Sequence, residues 1–437
     1  MNDLVALAQQ ACQDAVSAGA EFADVSAYRG RRLGVELEKC AIKSCDGRYG
    51  EGLSVRAFVR GGQGFASATG LEESAAREVA REAAALARAA APDPDFAGLP
   101  EPAPVPEVEG LYDARVAELE IADLVRWALA GVEEARGVDA QTVVEGGAGA
   151  GWGESAVANN LGVAASSRST NVGLSIFAIS RRGEDVGSYF EFDSGRMLAD
   201  FTPDGIGGEA ARQALRFLGS RKVPTGTLPV VFGPLASRSI FHMLCWSAGA
   251  EGVQRKRSFL IGKKGRQIAS PCLTLVDDAL IPRGLSSSAY DGEGFPRRPL
   301  RVVQDGVLLT WLHNSYTAGK AGESNTGHST RGGISPTNVN PRLGEVSAAE
   351  IIRGTKEGLY LPIANINPNP VSGDFSTSVD FGFKIENGEL AYPVKNTMIA
   401  GNVLEFLRDL EVVSSDARRE PGSVMPTIRV GRLRVAG

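Results

Sequence analysis

The sequence predicts an α+β protein of two domains: an α+β part at 1–222 and a β-rich part at 223–437. Three observations carry this. Apolar residues alternate with polar ones through much of the first half, the period of half-buried strands, and amphipathic helical stretches interrupt them. Beyond Val223-Pro224-Thr225-Gly226 the chain turns to short apolar runs separated by Gly, Pro, Asn and Asp. Finally, 437 residues at 43% apolar and 22% charged can bury more than one core, which excludes the disordered and fibrous classes.

Asp3 is placed to cap a first helix in which Leu4, Leu7, Ala8, Ala11, Cys12 and Ala15 share a stripe, and Gly19 to end it. Val25 with Ala27, Leu33-Val35-Leu37 and Leu53-Val55-Ala57-Val59 read as strands, with a tight turn at Gly61-Gly62 before Gly64-Phe65-Ala66. Glu72–Ala91, rich in Ala, Glu and Arg, predicts a helix. Six prolines between Pro92 and Pro106 forbid helix and central strand and predict an extended connector at 92–106 that links or wraps subdomains. Leu119–Ala135 reads as an amphipathic helix, alternation resumes to about residue 192, and a helix at Gly208–Leu218 closes this half. In the second half Pro229–Phe232, Leu273–Val276, Leu300–Val302 and Gly306–Leu309 predict strands. Helices are expected near Leu235–Ala248, Ala348–Gly358 and Gly401–Leu410.

The balance of 46 Lys+Arg against 52 Asp+Glu gives a net charge of −6 with no long like-charged run, so no nucleic-acid or polybasic membrane-binding role is predicted. Met1-Asn2-Asp3 leads into no basic-then-apolar leader, and no run of about 18 apolar residues occurs, so a soluble, cytoplasmic protein is expected. Five cysteines, at 12, 40, 45, 245 and 272, form no dense framework and read as reduced thiols. Cys40 and Cys45 alone make a C-x4-C that packing explains better than zinc.

Glycines at 146–153 lack both G-x-G-x-x-G and a G-K-[ST] phosphate loop, and no G-x-S-x-G elbow signals a serine hydrolase. Asp277-Asp278 and Asp291-Gly292-Glu293-Gly294 offer carboxylates, but without EF-hand spacing turn formation is the commoner use. Only His242, His313 and His328 can serve histidine chemistry. On a helix, His242 and Cys245 at i, i+3 share a face and could touch one metal, against the plainer reading of a histidine packed in an apolar helix. His313 and His328 flank a polar loop, where solvated or substrate-contacting side chains are expected. The small and polar Gly319–Gly333 stretch reads as a surface loop, a lid or a partner contact.

Ordered elements spread along the chain resemble the TldD/PmbA family. They are Gly52-Leu53-Ser54-Val55-Arg56, Asn159-Asn160-Leu161-Gly162, Val276-Asp277-Asp278, Tyr290-Asp291-Gly292-Glu293-Gly294-Phe295-Pro296, Gln304-Asp305-Gly306-Val307-Leu308, Ser335-Pro336-Thr337-Asn338, Asn369-Pro370-Val371-Ser372-Gly373-Asp374-Phe375-Ser376 and Ile399-Ala400-Gly401-Asn402. The resemblance covers nearly the whole chain. It implies TldD–TldE heterodimers acting on unfolded or modified peptides, or on an amide in a biosynthetic pathway, and linked to peptide maturation and to modulation of DNA gyrase. In them TldD holds the hydrolytic zinc on an H-E-x-x-x-H helix with a downstream cysteine, and TldE (PmbA) lacks it. At the matching place stand His242-Met243-Leu244-Cys245-Trp246-Ser247, with Met243 for the glutamate and Ser247 for the second histidine, and no cysteine follows Cys272. Thioether and hydroxyl replace the base and a ligand.

The resemblance therefore implies a TldE-like, non-catalytic subunit with no metal of its own beyond a remnant at His242 and Cys245, and with zinc in a TldD-like partner. His313, His328, Asn338 and Asp374 are the candidate substrate or partner contacts, and strand pairing at an open sheet edge is one way a peptide could be held. The alternatives are an autonomous hydrolase using His242, Cys245 and an acid such as Asp277, or a homodimeric binding or regulatory protein.

Overall fold

The computed structural model describes residues 3–437; Met1 and Asn2, where the reading of the chain start begins, lie outside the described residues. Asp3 accepts a hydrogen bond from the Val5 amide at the head of the first helix, as its cap position predicts. The first half runs α1 (Leu4–Ser17), β1 (Phe22–Glu38), β2 (Ala41–Val59), β3 (Gly62–Thr69), α2 (Glu73–Ala89), α3 (Ala114–Ala117), α4 (Ile121–Val138), β4 (Val143–Asn159), β5 (Ala164–Arg182), β6 (Asp185–Gly195) and α5 (Ile206–Arg216). Its strands form one antiparallel sheet in the order β3-β2-β1-β4-β5-β6. The two runs predicted at 25–27 and 33–37 are a single strand of 17 residues.

Each long strand serves two cores. Ala23, Val25 and Ala27 of β1 pack under α1 and α2, whereas Leu33, Val35 and Leu37 pack under α4 and α5. The glycines at 146–153 fall within β4, where a Cβ on Gly147 would sit 2.3 Å from the Val35 carbonyl oxygen, so close strand approach explains them. Helices α4 and α5 touch backbone to backbone: a Cβ on Gly207 would lie 1.9 Å from the Gly131 carbonyl oxygen. Substituting Gly207→Ala is expected to force the helices apart and cost about 1–3 kcal/mol; an unchanged urea midpoint would show that the crossing tolerates the methyl.

The connector at 92–106 has neither helix nor strand. It wraps, as Phe96 stacks on Phe58 with centroids 4.2 Å apart and Asn159 donates to the Pro100 carbonyl.

The second half runs β7 (Gly226–Phe232), α6 (Pro234–Ser247), α7 (Ala250–Gln254), β8 (Leu275–Asp277), β9 (Leu300–Gln304), β10 (Val307–Leu308), α8 (Ser315–Ala321), β11 (Ser329–Thr330), β12 (Gly333–Ile334), β13 (Val339–Pro341), α9 (Ala348–Arg353), β14 (Glu357–Ile363), β15 (Asp374–Val379), β16 (Phe381–Glu386), β17 (Glu389–Pro393), β18 (Thr397–Asn402), α10 (Val403–Arg408), β19 (Leu410–Glu420) and β20 (Ser423–Ala436). A large sheet in the order β15-β18-β20-β7-β14-β16-β17, with β19 also on β20, backs α6 and α10, and β10-β9-β8-β13 forms a smaller one.

The helix expected at 348–358 stops at Arg353, because β14 takes over from Glu357. Gly401 belongs to β18, and Asn402 caps the short α10 through the Leu404 amide. The polar Gly319–Gly333 stretch is a surface segment only in part: it starts inside α8, Gly319–Ser324 are exposed, and Thr326–Ser329 are buried. Among the described residues no helix is long and apolar enough to cross a membrane.

The two halves meet through buried charge. Asp24, 1% exposed on β1, is clamped between Arg56 of β2 and Arg331 from the turn between β11 and β12. Arg56 also reaches Glu293 at 3.5 Å, and Glu293 accepts from the Ser315 amide at the start of α8. Farther along, Arg196 is 8% exposed and donates to the carbonyls of Gly284 and Leu285 at 2.7 Å each and of Ser287 at 3.2 Å.

Candidate functional site

Helix α6 begins with Gly233 at its cap and Pro234 in its first turn, where the missing N–H costs nothing. Its apolar ridge of Ile240, Phe241, Leu244 and Cys245 is buried in the core. Its other face, with Arg238, His242, Met243 and Trp246, lines a groove of about 790 Å³. The opposite walls are Phe190 and Phe192 of β6, Phe381 of β16, and the chain from Ile363 to Pro370 that links β14 to β15. The groove thus lies between the halves of the molecule.

His242 and Cys245 are not brought together. Three residues of helix rotate the side chain by about 60°, and here that angle straddles the edge of the core. His242 is exposed in the groove, contrary to the packed reading, while Cys245 is fully buried and faces away from it. Desolvation by the groove walls outweighs the pull of Asp277 and lowers the His242 pKa, so the ring is neutral at pH 7. Burial, reinforced by Asp277, holds the Cys245 group well above its ordinary value, so it stays a thiol.

The Ser247 hydroxyl is spent on the Met243 carbonyl at 2.9 Å. A tetrahedral zinc needs three protein donors, and this helix aims one imidazole at the groove; among the described residues no three His, Cys, Asp or Glu side chains converge. The donor set does not fit a catalytic zinc.

His313 and His328 are 1% and 3% exposed, so the solvated-loop expectation fails for both. His328 places Nδ1 2.9 Å from Thr326 Oγ1 and Nε2 3.4 Å from Asp277 Oδ2. Asp277 also accepts from the Thr337 amide at 2.9 Å and from its hydroxyl. Burial pushes the Asp277 pKa up, but His328 and Thr337 together bring it below the ordinary carboxylate value. His313 contacts Thr317 Oγ1 at 3.1 Å, and burial lowers its pKa despite Glu323 nearby. The His328 ring ties β8 of the smaller sheet to the loop before β11, and the His313 ring ties α8 to the loop that follows it. The carboxylates at 278 and 291 serve turns: Asp278 accepts from the Leu280 amide, and Asp291 from those of Glu293 and Phe295.

Asn338 and His242 do share a small cleft of about 80 Å³ beside the groove. The Asn338 amide is engaged there, donating to the Asp278 carbonyl and Ser287 Oγ and accepting from the Ser286 amide. Asp374 lies apart. It accepts from Asn402 at 2.9 Å and lines a different cavity with Arg408, Arg432 and Arg434.

Sequence reasoning missed the aromatic wall. Phe190 and Phe192 stack with centroids 6.1 Å apart, and Phe381 meets Phe190 edge-on at 6.2 Å. The signal available was the run Tyr189-Phe190-Glu191-Phe192 on an alternating strand, with aromatic rings on the face opposite the buried Tyr189. Arg418 fixes this wall by lying 4.8 Å over the Phe192 ring, bonding the Phe192 carbonyl at 3.0 Å and pairing with Glu191 and Glu420. Glu420 pairs in turn with Arg238 at 3.3 Å. The Phe192 amide donates to Glu191, so the backbone of edge strand β6 is already occupied at this point and offers no pairing to an added strand.

Known proteins of the same build are found across the whole length. Three family profiles match: PmbA/TldA metallopeptidase domain 1 at residues 23–87, the central domain at 115–218 and the C-terminal domain at 225–437. The chain is 28% identical to metalloprotease PmbA of Escherichia coli O157:H7 over 97% of this chain and 96% of that one. The crystal structure of TldE from Thermococcus kodakarensis superposes with a TM-score of 0.89 at 25% identity, covering 98% of this chain and 99% of that one. A Bacteroides thetaiotaomicron structure, described as a candidate modulator of DNA gyrase, reaches 0.90 at 27% identity over 99% and 98%. With profiles for all three of its regions matched in order along one chain, this protein is a member of the PmbA/TldD metallopeptidase family.

Proposed function

We propose that this chain is the TldE-like, non-hydrolytic subunit of a cytoplasmic TldD–TldE heterodimeric zinc metallopeptidase acting on unfolded or modified peptides. The observation that carries the reading is the face of α6. His242 stands alone where a zinc helix needs a second imidazole and a carboxylate base, and Cys245 is turned into the core. The likeness to a solved TldE over nearly its whole length supports the same assignment.

In this reading zinc belongs to a TldD-like partner, and the present chain contributes shape: its groove between the two halves receives part of the peptide without cutting it. Cavities of this size at a domain junction are where ligands are most often held. Reuse of the site by an autonomous hydrolase built on His242, Cys245 and Asp277 finds no support in this geometry, because the thiol does not face the imidazole.

The test is metal content of the purified chain by plasma mass spectrometry, together with peptide cleavage assayed with and without a TldD-like partner. No stoichiometric zinc, and cleavage only after the partner is added, is the expected result. One zinc per chain with partner-free cleavage overturns the proposal. Binding of peptide by a homodimer that never requires the partner supports the regulatory alternative instead.

A further inference from the structure

We infer that the groove selects its peptide, anchoring one large apolar side chain against Phe190, Phe192 and Phe381 and seating an adjacent basic group on Asp380. The inference rests on the proposed peptide-receiving role of the groove and adds the chemistry of what it receives.

Three features argue for it. The first is the wall itself. Phe190, Phe192 and Phe381 are only half-buried, and Trp246 across the groove is 57% exposed, so four aromatic rings face an open cavity of about 790 Å³. Aromatic surface left open in this way, and held rigid by Arg418 over Phe192, is a preformed receptor for another apolar side chain. The second is charge. Around Arg238, the one cation of the lining, the ions are balanced among themselves, Glu191 and Glu420 against Arg418 and Arg238. Asp380, also on the lining, is exposed and its carboxylate has no hydrogen-bond or ion-pair partner among the described residues. The cavity that adjoins it adds Glu184 and Asp185 against the single ammonium of Lys395. An occupant is therefore attracted through a positive group beside Asp380 and gains nothing from a negative one there.

The third is the backbone. The Phe192 amide and carbonyl are already bonded to Glu191 and Arg418, so an added β-strand, which would be blind to sequence, loses its backbone bonds at that residue. At this point of the wall recognition falls to the side chains, and side-chain recognition is selective.

The test uses the full chain and an acetylated, amidated hexapeptide with phenylalanine next to lysine between glycines, titrated by calorimetry and by Trp246 fluorescence, with Trp246→Phe as the optical control. Relative to this peptide, alanine for phenylalanine is expected to weaken binding about tenfold or more, and glutamate for lysine about two- to fivefold. Phe190→Ala should abolish the first preference. Asp380→Lys, an exposed change that leaves the fold intact, should reverse the second so that the glutamate peptide binds better. Equal binding of all three peptides overturns the selectivity while leaving the peptide-receiving groove standing. Failure of every peptide to bind, with or without a TldD-like partner, removes the groove reading itself and the inference with it.

Discussion

Asp24→Ala is expected to cost about 3–5 kcal/mol of folding stability, because it leaves Arg56 and Arg331 facing each other in the interior without their shared carboxylate. Burial alone would raise the Asp24 pKa, but the two guanidiniums outweigh it and hold the carboxyl below its ordinary value. The sign of the pH dependence follows. A carboxylate with a folded pKa below its unfolded one, about 3.9, stabilises the protein fully above that value, and the contribution disappears as pH falls through the folded pKa. Urea unfolding followed from pH 7 to pH 3 should therefore show the parent protein losing stability steeply below about pH 4, with that component missing in the variant. A variant within about 1 kcal/mol of the parent at pH 7 would mean the two arginines find other partners, and the clamp would not be what joins the halves.

Arg196→Met is the second large effect. The side chain of Arg196 is a buried cation whose bonds all go to carbonyl oxygens, and burial pulls its pKa down without a carboxylate to restore it. Methionine fills much of the volume but strands the carbonyls of Gly284, Leu285 and Ser287, at a cost of about 3 kcal/mol. Leu285 and Ser286 also wall the small cleft that holds His242 and Asn338, so the damage should be local as well as global. Hydrogen exchange ought to quicken at 284–287 before the rest of the chain opens. Protection there equal to the parent's, together with an unchanged melting temperature, is the outcome that defeats this account.

Much of the fold was legible because its signals are local. The cap at Asp3, the alternation from Val25 to Leu37 and the proline density at 92–106 each depend on neighbours a few residues away, and each corresponds to what is observed. The substitution of Met243 and Ser247 into a zinc-helix frame was equally plain. The buried histidines were not, because what buries them is remote: His328 depends on Asp277, 51 positions earlier, which is invisible to any window of sequence. The shared face expected of His242 and Cys245 does not become one site, for a geometric reason. Spacing fixes the angle of Cys245 relative to His242 but not where the core boundary falls between them. The aromatic wall was missed because its rings come from strands nearly 200 residues apart, joined only when the two halves dock.

The shared strands of the first sheet also bear on how such a chain can be divided. Matches to the first and central family regions break between residues 87 and 115, yet β1 of the first pairs with β4 of the second from Asp24–Asn159 to Leu37–Gly146. A recombination event that removed the first region would take β1 with it, bare that whole length of β4 as a new sticky margin and leave β4 paired with β5 alone. These two regions are thus heritable only as a pair: what looks like two modules in the linear text is one indivisible inheritance in three dimensions.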